Sequence, residues 1–137
     1  MARLGTVIIA TMALTTPPNS AYASPKRGEV LTVVASHYGD GDGFHGKRTA
    51  NCSVFSKKAK TAAHKTLRFG TKVKLCNPKN GICETVSITD RGPFKRHRDI
   101  DVASGVGKRL GIGGDTKLTM QIVAVPERPI MGRSCRS

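Results

Sequence analysis

Residues 89–101, TDRGPFKRHRDID, place Asp90 and Asp101 among five basic side chains and a Gly-Pro turn. This stretch holds three of the nine acidic residues of a strongly basic chain. One interpretation is that Asp90 and Asp101 lie in a basic cleft and perform proton transfer on an uncharged or acidic polymer. The alternative is a solvated, salt-bridged loop in which Asp90 caps a turn and Asp101 is the N-cap of the following helix.

The first 23 residues have the pattern of a secretory signal peptide. Arg3 precedes an apolar run over residues 4–14, and Ala21-Tyr22-Ala23 is a small-residue cleavage site. The run is shorter than the ~20 residues that a membrane span needs. We therefore predict a cleaved leader over residues 1–23 and a periplasmic or secreted protein that does not insert into the membrane. No Cys lies near the cleavage site, so we expect no lipid anchor.

The remaining residues, 24–137, are enough for one compact domain and too few for two. We predict a single monomeric domain that ends in a basic tail from Arg128. Its four cysteines would lie in an oxidising compartment, where disulfides persist. Cys76 and Cys83 bracket the turn sequence NPKNG, which favours a Cys76–Cys83 bridge across a hairpin and leaves Cys52 to pair with Cys135. Zinc is the rival use of these thiols, although the gap in the first pair exceeds the usual spacing of about two to four residues.

The net charge of +14 predicts attraction to polyanions. Nucleic acid is a poor candidate partner, because the chain has no basic run interleaved with aromatic residues and is expected to be exported. The acidic or polar polymers of the cell envelope, namely peptidoglycan, lipopolysaccharide and other polysaccharides, are the expected partners. Charge alone does not choose among them.

The apolar pattern along the chain has a period of two more often than a period of 3.6, which is typical of strands. Alternation predicts strands at residues 72–75, 82–89 and 118–124, and the Val/Thr-rich residues 30–36 predict an opening strand. Helical signal is short: residues 57–64 are rich in Lys and Ala, and residues 103–110 end at Gly111, a typical C′ residue. Short strands with one or two short helices predict a mainly β fold closed as a barrel, because closure removes exposed sheet edges.

Five blocks of the sequence resemble the successive signature blocks of the RlpA-like family, in that family's order. They are ASHYG (35–39), FHGKRTAN (44–51), TAAHKTLRFGT (61–71), TDRGPF (89–94) and IDVA (100–103). The resemblance covers roughly residues 33–125 and implies a six-stranded double-psi β-barrel, the fold also used by expansins. For several family members it implies lytic transglycosylase activity, in which the muramic acid C6 hydroxyl closes onto C1 to give a 1,6-anhydro product.

Carried over to this sequence, the resemblance implies Asp90 as the catalytic acid and base, with His64 orienting it or stabilising charge. Asp101 would be a second carboxylate in the groove. For His64 the alternative is an ordinary hydrogen-bonded residue at a helix end. Such acid–base chemistry requires no cofactor and no metal ion. Four further side chains from the same blocks are expected to contact substrate: Tyr38, His45, Lys65 and Arg91.

One position departs from the family pattern. Many members continue the block after Thr-Ala-Asn with Gly-Glu-x-Phe, whereas this chain has Cys52-Ser53-Val54-Phe55. Ser53 therefore stands where the family has Glu, and it cannot act as a carboxylic acid. Two hypotheses follow. The chain is either a peptidoglycan lytic transglycosylase that uses Asp90, or a noncatalytic expansin-like or barwin-like barrel that binds cell-wall polysaccharide.

Overall fold

The computed structural model describes residues 25–135 and, nearer the start, positions 5, 6, 8 and 10. The predicted signal peptide lies outside the described residues except for those four positions. Six strands and one α-helix follow in chain order: β1 Val30–Tyr38, β2 Thr61–His64, β3 Lys72–Cys76, β4 Cys83–Asp90, β5 Ile100–Ala103, α1 Ser104–Leu110 and β6 Thr116–Ala124. A short 3₁₀ turn, Arg133–Cys135, follows β6. Within the described part of the chain, no helix combines the length and apolarity needed to cross a membrane.

The strands close into a barrel in the order β1-β5-β2-β4-β3-β6. The β1–β5 and β2–β4 pairs are parallel, and the other four pairs are antiparallel. The short strands β2 and β5 therefore lie side by side between the long strands β1 and β4. This confirms the mainly β, six-stranded barrel that the sequence predicts.

The barrel interior is filled by aliphatic side chains rather than aromatic ones. Alternate residues of β3, β4 and β6 are fully or almost fully buried, as their period-two pattern predicts. The core includes Leu75, Ile88, Ile100, Leu118 and Met120, each at most 2% exposed. Burying one such side chain contributes about 1.5–3 kcal/mol.

The predicted helical segment at residues 57–64 is wrong. Residues 57–60 form a turn, and Thr61–His64 is strand β2. Ala62 and Ala63 are buried there because β2 is hydrogen-bonded to β4 on one side and to β5 on the other. Alanine favours helices in isolation, but here two flanking strands recruit the segment into the sheet.

The second predicted helix is confirmed as α1, and it ends at Gly111 with φ 74°. Its N-cap is Ala103, which has no side-chain capping hydrogen bond. Asp101 lies inside strand β5 instead. The interpretation of Asp101 as a helix N-cap is therefore wrong, and its carboxyl group is left available for another role.

Two disulfides join Cys76 to Cys83 and Cys52 to Cys135, which confirms the favoured pairing. The first closes the β3–β4 hairpin, whose turn includes Gly81 at φ 72°. The second fastens the C-terminal segment to the loop between β1 and β2. No thiol remains free in either pair.

Candidate active site

A groove with a cavity volume of about 420 Å³ contains both candidate catalytic aspartates. Strand ends form its floor, and the loops before β2 and after β4 form its edges. The residues that line it are Tyr38, Phe44, Arg48, Thr49, Ala50, Ala63, Asp90, Arg91, Gly92, Phe94 and Asp101. A second cavity of about 400 Å³ lies near Pro25 and Arg68, and its described lining includes no acidic side chain. The first groove is therefore the candidate active site.

Three adjacent strands bring the two aspartates to one surface. In the barrel, Ala63 of β2 pairs with Asp90 of β4 on one side and with Asp101 of β5 on the other. Because neighbouring strands lie about 4.8 Å apart, the backbones at Asp90 and Asp101 are about 10 Å apart. The small side chain of Ala63 leaves the space between the two carboxyl groups open.

The Asp90 side chain accepts three hydrogen bonds. Its Oδ1 accepts from the backbone N–H of Ala50 and from that of Arg91, each at 2.9 Å. Its Oδ2 accepts from the Tyr38 hydroxyl at 3.3 Å. Burial, followed by the nearby Asp90 charge, raises the pKa of Tyr38, so this hydroxyl remains a donor. Asp90 is thus held at a defined orientation by donors from both sides of the groove.

Asp101 has a different environment. It is half-buried, and its Oδ1 has no hydrogen-bond partner among the described residues. Burial raises the pKa of Asp101, against the opposing influence of Arg98. An isolated carboxyl group of this kind keeps its proton to higher pH than an exposed aspartate does.

His64 does not line the groove. Its ring is 9% exposed, and its Nδ1 accepts hydrogen bonds from the backbone N–H groups of Thr66 at 3.1 Å and Leu67 at 3.0 Å. Burial, followed by the charge of Arg91, lowers the pKa of His64 to about 4. The imidazole is therefore neutral at neutral pH, and its two hydrogen bonds hold the backbone of the loop after β2. The expectation that this imidazole directly orients Asp90 or stabilises charge in the groove does not match this geometry.

Arg91 connects that loop to the groove. One guanidinium nitrogen, Nη1, donates to the carbonyl oxygens of His64 at 3.2 Å and Leu67 at 2.7 Å. The guanidinium also lies 3.9 Å from the centre of the Phe69 ring, a cation–π geometry. Since its backbone N–H also donates to Asp90, Arg91 links the His64 loop to the carboxylate.

The other expected substrate contacts divide into two groups. Tyr38 and Arg91 line the groove, whereas Lys65 and His45 do not. Lys65 is exposed and its Nζ donates to the Lys95 carbonyl oxygen at 3.4 Å. The His45 Nδ1 accepts from the backbone N–H of Lys57 at 3.1 Å.

The structure adds groove residues that sequence reasoning missed, notably Phe44, Arg48 and Phe94. Phe44 and Phe94 stand inside the blocks that carry the resemblance, each in a loop rich in glycine or basic residues. A large aromatic residue in such a loop could have indicated a binding surface, because a surface loop rarely buries its side chains in the core.

The third acid of the 89–101 stretch is structural. The Asp99 Oδ2 accepts the backbone N–H of Val34 at 2.7 Å and ties the loop to β1. Its neighbour Arg98 donates to Asp115 at 2.6 Å. The salt-bridged loop interpretation therefore applies to the end of this stretch, while Asp90 and Asp101 face the groove.

Ser53, at the position of the family's Glu, is used inside its own loop. Its hydroxyl is hydrogen-bonded to the Asn51 Oδ1 and lies 2.9 Å from the Thr49 hydroxyl. Asn51 is buried, and its Nδ2 donates to the Ile130 carbonyl oxygen at 3.2 Å. The loop that presents the Ala50 N–H to Asp90 is thus stabilised by hydrogen bonds within the loop and by one to the C-terminal segment.

A family model and the curated relatives of this chain indicate the same family. The family model described as Lytic transglycolase matches residues 30–122. A probable endolytic peptidoglycan transglycosylase RlpA from Synechocystis sp. is 52% identical over 79 residues, which are 58% of this chain and 24% of that protein. The endolytic peptidoglycan transglycosylase RlpA of Campylobacter jejuni is 38% identical over 98 residues, which are 70% of this chain and 35% of that protein. The chain thus spans about a quarter to a third of the length of these curated relatives.

Two solved structures have a similar fold. The Streptomyces papain inhibitor superposes with a TM-score of 0.54 at 20% identity, over 72% of this chain and 97% of the inhibitor. The apo expansin of Clavibacter michiganensis superposes with a TM-score of 0.54 at 22% identity, over 74% of this chain and 54% of the expansin. At these identities the likeness concerns the fold alone.

Proposed function

The chain belongs to the lytic transglycolase family of double-psi β-barrels, and on this basis we propose that it cleaves peptidoglycan glycan strands as a lytic transglycosylase. Family relatives are named endolytic peptidoglycan transglycosylases. We place the activity outside the cytoplasmic membrane, where peptidoglycan lies, in agreement with the signal peptide predicted at residues 1–23.

The observation that carries this proposal is the pair of carboxyl groups with different environments in one groove. The pKa of Asp101 is raised, and its buried Oδ1 lacks a hydrogen-bond partner; both favour the protonated form that a proton donor needs. Asp90 accepts hydrogen bonds at both oxygens, which suits a carboxylate that receives a proton. This division of roles refines the expectation that Asp90 alone serves as acid and base.

In the proposed reaction, Asp101 transfers its proton to the glycosidic oxygen while the bond from that oxygen to C1 breaks. The C6 hydroxyl of the same muramic acid then bonds to C1, and its proton passes to the Asp90 carboxylate. The product carries a 1,6-anhydro ring, and no water molecule is consumed. Exchange with solvent returns Asp90 to the carboxylate and Asp101 to the acid.

His64 takes a positioning role in this proposal rather than a chemical one. Its neutral imidazole holds the loop after β2, and the carbonyl groups of that loop hold the Arg91 guanidinium. Arg91 in turn supplies a backbone N–H to Asp90. Loss of the imidazole would therefore act on the carboxylate through two intervening contacts.

The test is digestion of purified sacculi followed by mass spectrometry of the released muropeptides. The wild type is expected to release 1,6-anhydro ends, and Asp90→Asn and Asp101→Asn are each expected to lower the rate ~10²–10⁴-fold. Asp40→Asn is a matched control, because Asp40 is exposed and paired with Lys57 and Lys108 away from the groove. A fully active, folded Asp90→Asn variant would refute the role of Asp90.

The pH dependence of cleavage tests the role of Asp101. If Asp101 must be protonated, kcat/KM falls as pH rises through the pKa of Asp101, which burial places above that of an ordinary aspartate. A rate that stays constant from about pH 4 to 8 would contradict Asp101 as the proton donor.

Ser53 favours a second candidate function, namely polysaccharide binding without cleavage. The serine is engaged with Thr49 and Asn51, and it supplies no carboxyl group to the groove. In this case insoluble cell wall would retain the protein without new anhydro ends. Because salt shortens the reach of the positive field to ~8 Å at physiological strength, added salt would release it.

A further inference from the structure

Aromatic side chains are concentrated in the groove, although they are scarce in the chain as a whole. The chain has four Phe, two Tyr and no Trp, and one of the tyrosines, Tyr22, belongs to the predicted leader. Three of the remaining aromatic residues, Tyr38, Phe44 and Phe94, line the one groove that contains both aspartates.

Phe94 is 92% exposed. A buried Phe side chain contributes ~1.5–3 kcal/mol to folding. Because Phe94 is exposed, it contributes almost none of this burial energy. Its ring lies over Gly92, because a Cβ atom added to that glycine would be 3.5 Å from the ring. Gly92 also has φ 115°, a conformation that favours glycine. The ring is therefore presented to solvent directly after the Gly92-Pro93 turn, four residues from Asp90.

Phe44 is 52% exposed and lies on the other loop. Its ring meets the Tyr38 ring edge to face, with centroids 5.9 Å apart, and Tyr38 itself stacks on Phe55 at 4.4 Å. The Asp42 carboxylate accepts the backbone N–H groups of Gly39 and Phe44, which fastens this loop. Phe44 is thus held beside the ring of Tyr38, whose hydroxyl group donates to Asp90.

We propose that Phe44 and Phe94 are stacking platforms for two sugar rings of a glycan lying along the groove. This inference rests on the proposed function and adds the means by which the substrate is held. A pyranose ring presents an apolar C–H face and polar edges, so it matches a groove whose lining combines exposed aromatic rings with carboxyl groups. An apolar peptide matches less well, because it would cover the Asp101 carboxyl group without offering it a hydrogen-bond partner.

The platforms predict a minimum substrate length. A single sugar ring reaches one platform, whereas a longer strand covers both and extends over the two aspartates between the loops. Since the contact is apolar, its contribution persists at high salt, unlike attraction from the basic surface. Salt therefore separates stacking from general charge attraction.

The binding test uses an uncharged hexamer of β-1,4-linked N-acetylglucosamine in 0.5 M salt, measured by calorimetry. An Asp101→Asn background prevents turnover, so the result does not depend on cleavage. Phe44→Ala and Phe94→Ala are each expected to weaken binding ~3- to 10-fold, the range of an aromatic contact. Phe94→Tyr keeps the aromatic face and is expected to bind like its parent.

Ile82→Ala is the matched control, because Ile82 is 43% exposed in the β3–β4 hairpin, outside the groove lining. Unchanged binding by the Phe44→Ala, Phe94→Ala double variant would overturn the inference, as would a parent protein that binds neither the hexamer nor purified glycan strands. Tighter binding of an apolar peptide than of the hexamer would also overturn it.

The inference and the proposed function can fail separately. In the active protein, the phenylalanine variants are expected to raise KM more than they lower kcat on sacculi. If the phenylalanine variants cleave sacculi with normal kcat and KM, the stacking role of Phe44 and Phe94 is refuted and the transglycosylase proposal stands. If hexamer binding depends on both rings but no anhydro product is formed, the transglycosylase proposal is refuted and the stacking role stands.

Discussion

Replacement of His64 by Asn should remove a specific loss of stability at acidic pH. The folded-state pKa of His64 is about 4, against 6.5 for the free side chain, chiefly because the ring is buried. Between these values the unfolded chain binds a proton at this position and the folded chain does not. The free energy of unfolding therefore falls as pH falls from 6.5 towards 4, and this contribution is complete below the folded-state pKa.

The magnitude follows from the two pKa values. At ~1.4 kcal/mol for each tenfold change in proton affinity, the full effect is about 3 kcal/mol, of which about 2 kcal/mol is lost by about pH 5. With a urea m-value of about 2 kcal/mol/M for a domain of this size, the unfolding midpoint should shift by about 1 M. The shift is large enough to measure by equilibrium unfolding.

Asn is a suitable replacement because its side-chain oxygen can take the place of Nδ1 as acceptor for the Thr66 and Leu67 N–H groups. Because the substitution also changes the stability at pH 7.5, the quantity to compare is the change in the free energy of unfolding from about pH 7.5 to pH 5 in each protein. The wild type should lose about 2 kcal/mol more than the variant, since all other titrating groups are common to both. Equal losses would refute a buried neutral imidazole.

Two further predictions concern stability. Replacing the Cys52–Cys135 pair by serines should cost about 4.5 kcal/mol in the chain-entropy model, against about 2.4 kcal/mol for the Cys76–Cys83 pair, because the closed loops differ in length, with sequence separations of 83 and 7. Urea unfolding measures both, and a larger loss from the short loop would contradict this reasoning. Arg91→Lys should cost about 1–3 kcal/mol, because a lysine cannot both bridge two carbonyl groups and stack on an aromatic ring. An unchanged unfolding midpoint would show that these contacts contribute little.

Three of the long strands could be predicted from the sequence because they alternate between core and surface, and β1 could be predicted from its Val and Thr content. Residues 30–36, 72–75, 82–89 and 118–124 all fall within or across observed strands. The two short strands could not be predicted from their pattern. Thr61–His64 and Ile100–Ala103 are four residues each and are buried on most positions, so no alternation is visible. Their neighbours in the barrel, rather than their own preferences, make them strands.

The candidate acids could be predicted from the sequence, but their environments could not. Asp90 and Asp101 stood out because of their residue type and their place in family-like blocks. Two of the three donors that hold Asp90 come from Ala50 and Tyr38, 40 and 52 positions away. The role expected for His64 depended on the direction of its ring, which the backbone N–H groups of the next turn determine.

The sequence by itself determined a mainly β barrel, favoured the observed disulfide pairing and indicated two candidate acids, because alternation, turn residues and motif order can be read along the chain. Only the tertiary structure decided that Asp101 is isolated, that Asp90 is surrounded by donors and that His64 faces inward. The physical reason is that proton affinity depends on burial and on partners brought together from distant parts of the chain.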